Sequence, residues 1–311
     1  MRHSFSLVPF LLASLLSAQG PCKAEFDSLT FVDNVSMGGP NLLLAIRTDV
    51  TVPLAVFRIE MFTGEGAGTN SIGVWSHDAA NNRPLANLGT TSWSMTRPNG
   101  WQGGNFATPL VLLPGTYWVV WGPQNGAQCS AEASGSGLPG AQFYRGSFDG
   151  GSSWNGPFQS YQWKFRLFCG PNPGSAALYG TGCSGAARRV VHIGANGVPT
   201  LGLSFDLLLA SAAFNAPTLL FVGGSDQLWG SIPLPLDLSF LGMSGCRVLA
   251  EGAVILPINA DGAGRARVTV GVPNTTALLG NPLFAQWFVT ESGANPLNLI
   301  HTTGIKTVVG N

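Results

Sequence analysis

Charge is what this sequence lacks most. Lys, Arg, Asp and Glu make up 10% of its 311 residues, against roughly 25% in ordinary soluble proteins. The 15 basic and 15 acidic residues cancel, and neither sign forms a run. That excludes the electrostatic footprint of a nucleic-acid-binding protein or of a basic segment on an anionic membrane. Histidine is scarce too: beyond His3 there are His77, His192 and His301. With no Gly-x-Ser-x-Gly elbow, a Ser–His–Asp hydrolase has little to build on. Carboxylates are spread singly, so a pair for glycoside hydrolysis would have to be brought together by folding. Cys-x-x-Cys pairs and zinc-type spacing are absent. No catalytic residue, metal ligand or cofactor is expected.

Long apolar runs are absent but for one. Leu7–Leu16 follows Arg2 and His3 and is too short to span a membrane as a helix. Residues 1–18 read as an export signal, cut after Ala18. The mature chain is expected to be soluble and outside the cytoplasm, without a membrane span. In that setting Cys22, Cys129, Cys169, Cys183 and Cys246 are expected in disulfides. Cys183 and Cys246 bound a compact segment and form the best pair, whose closure is worth about 4 kcal/mol. Cys169, at the end of a strand, is expected to meet either Cys22 or Cys129.

What the sequence has in abundance is glycine (42) and proline (21), which favours short strands and tight turns over helices. Val56–Phe62 alternates, with Phe57, Ile59 and Met61 on one side and Arg58 and Glu60 on the other. A glycine-rich loop and the strand-like Ile72–Trp75 follow, which predicts a hairpin over residues 56–77. Residues 78–100, interrupted by Thr91–Met95, and residues 122–141 read as loops, and Thr116–Trp121 as a central strand. Gly170-Pro171-Asn172-Pro173-Gly174 reads as a boundary. Beyond it, strands are expected at 201–207, 218–222, 236–240, 265–270, 284–289 and 304–309. The expected fold is all-β, two antiparallel β-sandwiches in tandem: residues 22–170, a linker at 171–176, and residues 177–311.

Two Gly-x-Gly-x-x-Gly matches, Gly135–Gly140 and Gly180–Gly185, lack the strand-then-helix setting of a dinucleotide site and carry no cofactor expectation. Ser147-Phe148-Asp149-Gly150-Gly151-Ser152-Ser153-Trp154 resembles the Asp-box of sialidase propellers and other β proteins. The resemblance implies a structural turn in which Asp149 bonds turn amides and Trp154 packs beneath.

Tyr179-Gly180-Thr181-Gly182-Cys183, Leu234–Cys246 and Ala285-Gln286-Trp287 resemble a C-terminal module that recurs in secreted proteins of Planctomycetes-type bacteria, over residues 178–309. It also fits a Cys183–Cys246 bridge. Arg58–Gly64, Val74–His77, Gly100–Gly103 and Pro114–Trp121 are similar, more loosely, to jelly-roll domains of bacterial exported proteins. Neither resemblance brings a catalytic residue.

Seven of nine tryptophans precede residue 170. Trp93 and Trp101 lie among Gly, Asn and Ser, with Arg97 and Gln102 nearby, which suits a flat platform for a sugar ring. His77, at a hairpin end, is the remaining candidate contact. The expected function is therefore non-enzymatic binding or surface structure, with a glycan as the favoured ligand. The alternatives are an extracellular polysaccharide hydrolase and a plain scaffold. An exposed Trp pair would favour binding, and two facing carboxylates in a cleft would favour hydrolysis.

Overall fold

A computed structural model describes residues 21–25, 33–37, 39, 41–66, 68–123, 129–135, 144–158, 161–184 and 188–311. The export signal at residues 1–18, the side chain of Cys129 and most of Gly135–Gly140 lie outside the described residues. Apart from two 3-10 turns, Ser239–Leu241 and Thr276–Leu278, the regular structure is strand. The all-β expectation holds.

The first half contains β1 (Lys23–Glu25), β2 (Asp33–Met37), β3 (Leu43–Val50), β4 (Leu54–Gly64), β5 (Thr69–Asp78), β6 (Arg83–Ser94), β7 (Gly100–Leu112), β8 (Gly115–Pro123), β9 (Cys129–Gly135), β10 (Tyr144–Ser147), β11 (Asn155–Phe158), β12 (Tyr161–Trp163) and β13 (Phe165–Phe168). One sheet runs β1-β13-β4-β9-β12, with β7 on β4 and β2 on β9; the other runs β11-β10-β3-β8-β5-β6. Ile59, Met61, Phe165 and Leu167 of the first sheet meet Ile46, Ile72, Val119 and Trp121 of the second in one core. Burying each Ile or Leu there stabilises the fold by about 1.5–3 kcal/mol.

The second half contains β14 (Ser175–Tyr179), β15 (His192–Asn196), β16 (Ser204–Ala210), β17 (Pro217–Gly223), β18 (Leu228–Trp229), β19 (Ile232–Pro233), β20 (Leu236–Asp237), β21 (Arg247–Val248), β22 (Val254–Asn259), β23 (Ala266–Gly271), β24 (Pro282–Thr290), β25 (Leu299–His301) and β26 (Gly304–Val308). Sheet β14-β26-β24-β17-β22, with β25 on β24, covers the three-stranded sheet β15-β16-β23. Leu207, Leu209, Leu220, Trp287 and Ile305 fill the core between them. A satellite core of Leu234, Leu238, Met243 and Val248 sits against Phe221 and Phe288.

Both bridges are formed by described cysteines: Cys22–Cys169 and Cys183–Cys246. Beside the second, the buried Gln286 ties the chain after Cys246 to β25. Its Oε1 accepts the Leu249 amide at 2.8 Å, and its Nε2 donates to the Arg247 carbonyl at 3.0 Å. That amide also lies 2.8 Å from His301 Nδ1. His301 Nε2 accepts the Arg247 amide at 2.8 Å.

Several expectations fail, each for a physical reason. β4 and β5 are not a hairpin: β4 bonds β13, β7 and β9, whereas β5 bonds β6 and β8 in the opposite sheet. Alternation fixes which face is buried and leaves the hydrogen-bonding partner open. Residues 83–90, expected as loop, run on into Thr91–Ser94 as the single strand β6, an edge strand whose small polar residues face solvent. Residues 129–135, also expected as loop, pair with β2 and β12. β7 runs through Pro109 because an edge strand tolerates a missing donor. Residues 236–240 give only two strand residues before a 3-10 turn, and 201–203 form a turn before β16.

Candidate functional site

The outward face of β4 is as buried as its inward face. Arg58 is 3% exposed and Glu60 0%, because the three-stranded sheet of the second half lies against this face. The contact is direct. The Trp101 amide donates to Asn196 Oδ1 at 3.1 Å, and the Gly197 amide donates to the Trp101 carbonyl at 3.2 Å. Strand register sets the neighbours of Glu60: Gly103 on β7 and Arg166 on β13. The backbone passes so close at Gly103 that a Cβ there would lie 1.9 Å from the Ile59 carbonyl oxygen.

Glu60 is bound through one oxygen only. Arg58 Nε and Nη2 both lie 2.8 Å from Oε1. The same guanidinium reaches Asn105 Oδ1 at 2.8 Å. Glu60 Oε2 is buried and has no hydrogen-bond partner among the described residues. A buried acceptor left without a donor costs about 1–3 kcal/mol, and more when it is charged. Such an orphan calls for a donor from outside the protein, water or ligand.

Glu60 lines a pocket of about 270 Å³ between the halves, with Trp101 and Arg166 on its side and Asn196, Asp206 and Arg267 opposite. Asp206 is fully engaged. Its Oδ1 accepts Thr269 Oγ1 at 2.7 Å and Arg267 Nε at 2.9 Å; its Oδ2 accepts Asn196 Nδ2 at 2.8 Å. The Arg267 side chain is 64% exposed, so its outer nitrogens are open to solvent at the pocket mouth. Donors, acceptors and an aromatic ring therefore converge in a small polar cleft.

The expected platform is arranged differently. Trp93 and Trp101 sit in β6 and β7, not in turns, since small polar residues suffice for edge strands. Trp101 is 6% exposed, with the Arg166 guanidinium 3.7 Å above its ring and Phe62 edge-on at 5.6 Å. Trp93 is half-buried against the first core, its indole nitrogen buried and without a partner among the described residues. Gln102 is buried and braces the loop after β6: its Oε1 accepts the Thr96 amide at 2.7 Å, and its Nε2 donates to the Thr63 carbonyl at 2.8 Å. Arg97 is exposed in the wall of a larger groove.

His77 lies at the far end of β5, in the other sheet. Its Nδ1 accepts the Trp118 indole N–H at 3.0 Å, and burial first, then Arg47, lowers its pKa. Of the five candidates, only Trp101 touches the pocket that holds Glu60.

Asp149 and Trp154 form the turn their motif implies. Asp149 accepts the Ser147 hydroxyl at 2.7 Å, the Ser153 amide at 2.9 Å and the Ser153 hydroxyl at 2.6 Å. Trp154 packs edge-on against Trp75.

Cys183, Cys246 and His301 cluster within 4.8 Å, but the sulfurs are joined to each other and His301 Nε2 already accepts a backbone N–H. No helix among the described residues is long and apolar enough to cross a membrane. Glu60, Arg166, Asn196, Asp206 and Arg267 escape sequence reasoning because nothing local signals that two halves will face each other there. No protein-family model matches the chain, and no curated protein matches it.

Proposed function

We propose that this is an exported, non-enzymatic binding protein that holds a polyhydroxylated ligand, a glycan, in the cleft between its two halves. The observation that carries the reading is the buried Glu60 with its Oε2 unpartnered among the described residues. A sugar hydroxyl in the pocket accepts from the exposed Arg267 guanidinium, and donates to the buried Glu60 oxygen once the seam between the halves loosens to admit it. Export is supported by the leader-like start of the sequence and by the two disulfides. The likeness of residues 178–309 to a module of secreted Planctomycetes-type proteins points the same way.

The test is a glycan array on the oxidised protein, followed by calorimetry on Glu60→Gln and Arg267→Ala. Both substitutions are expected to weaken retention at least about tenfold. Arg267 is exposed, so its variant keeps the test meaningful if the buried one unfolds. Undiminished binding by folded variants would remove the ligand from this cleft.

One observation favours a hydrolase instead: Glu60 and Asp206, one from each half, line the same pocket. Against it, Asp206 spends both oxygens on three donors that fix the wall. Release of new reducing ends from an array-selected glycan, lost in Glu60→Gln, would establish hydrolysis.

A further inference from the structure

The small pocket does not stand alone. Beside it lies a groove of about 900 Å³ with Phe62, Arg97 and Asn99 on one wall and Leu208, Asn259 and Arg267 on the other. Three segments pass from one space into the other in the same direction. Along β4, Glu60 faces the pocket and Phe62 the groove. Along β16, Asp206 faces the pocket and Leu208 to Ala210 the groove. Going back along the chain before β7, Trp101 lines the pocket while Asn99 and Arg97 line the groove. Arg267 belongs to both walls, at the junction. Pocket and groove are consecutive stretches of one cleft.

The groove also has polar capacity. Asn99 Nδ2 donates to Glu65 Oε1 at 3.0 Å, and both residues line the groove. Among the described residues the Arg97 side chain makes no hydrogen bond or ion pair, although its charge is felt by His192 across the interface. From Asp206 to Ala210 the wall extends about 13 Å at the strand rise, more than one sugar ring spans.

We infer that the cleft binds a linear oligosaccharide, one unit at Glu60 and the following units along the groove past Arg267 to Arg97. This rests on the glycan reading above and adds to it a chain-length requirement and a second set of contacts.

The experiment is competition calorimetry on the full oxidised protein with linear gluco-, N-acetylglucosamine- and manno-oligosaccharides of one to six units. For the series that binds, affinity is expected to rise at least about tenfold from the single unit to the longer oligomers and then level off. Arg97→Ala and Asn259→Ala, both at the groove and away from Glu60, are expected to bring the oligomer down towards the affinity of the single unit. Affinity that is flat with length, or a length gain that survives in both variants, overturns the extended cleft while leaving a glycan at Glu60. Failure of every series to bind removes the glycan reading itself.

Discussion

The guanidinium carbon of Arg166 lies over the Trp101 ring, 3.7 Å from its centroid, so the indole presents a charged, hydrogen-bonding cover instead of a bare apolar face. Both residues flank Glu60 on neighbouring strands. The stack thereby forms the pocket wall on the first half, and the cation–π contact is of the kind worth about 2 kcal/mol when desolvated.

Trp101 consequently has a packing role. Trp101→Ala is expected to lower stability in urea unfolding by about 3–5 kcal/mol, as for other buried tryptophans. A loss smaller than about 1 kcal/mol would mean that the ring is dispensable to packing, as the exposed-platform arrangement requires.

Asp149 is expected to make the β10–β11 turn acid-sensitive. Hydrogen bonds from the Ser153 hydroxyl first, then the Ser153 amide and the Ser147 hydroxyl, lower its pKa from 3.8 to about 2. A carboxyl depressed on folding contributes stability that is complete above its unfolded pKa and lost as pH falls through the folded one. The near-ultraviolet dichroism of the Trp75–Trp154 pair should therefore fade between pH 3.8 and about 2. In Asp149→Asn that step should be missing. An unchanged acid step in the variant would assign it to another carboxyl.

How far the sequence carries this description depends on whether a feature is local. The Asp149 turn is legible because all its donors lie within a few residues, and Cys183–Cys246 because each flanks a recognisable segment. The strand before Thr91, at residues 83–90, is not, since Asn, Gly and Thr on an edge look like loop until a neighbour supplies the ladder. Arg58 and Glu60 alternate as a solvent face would. What buries them is the second half, more than a hundred residues away in sequence, and no local pattern encodes that contact.

His301 should couple the second half to pH. Burial lowers its pKa below 6.5, partly offset by the contact with the Thr302 carbonyl. For a base depressed on folding, the unfolded chain binds the extra proton, so stability is complete above 6.5 and declines as pH falls below it. Protonation would also abolish the Nε2 acceptor of the Arg247 amide. His77 and His192, each lowered first by burial, act with the same sign. Urea unfolding at about pH 7.5 and about pH 5 should show a clear decline in the native protein and a smaller one in His301→Gln. Equal declines in both would place the sensitivity on the other two histidines.

At Gly100 the backbones of the two halves come into close approach. A Cβ there would lie 2.7 Å from the Ala195 carbonyl oxygen and 2.9 Å from Asn196 Cα. Both atoms are backbone and cannot swing aside as a side chain would. The backbone at Gly100 is not in the left-handed region that favours glycine, so alanine brings no torsional strain and the effect is purely steric. Gly100→Ala is therefore expected to wedge the halves apart beside the Trp101–Asn196 hydrogen bond, widening the cleft and removing cooperation between the halves. In small-angle scattering the radius of gyration should rise, and in calorimetry one unfolding transition should become two. Asn196→Ala is the control, because it removes the side-chain bonds to Trp101 and Asp206 without adding an atom. It should loosen the interface less than the wedge does. Unchanged scattering and a single transition in Gly100→Ala would show that the sheets slide to admit a methyl group, and that this contact does not set the width of the cleft.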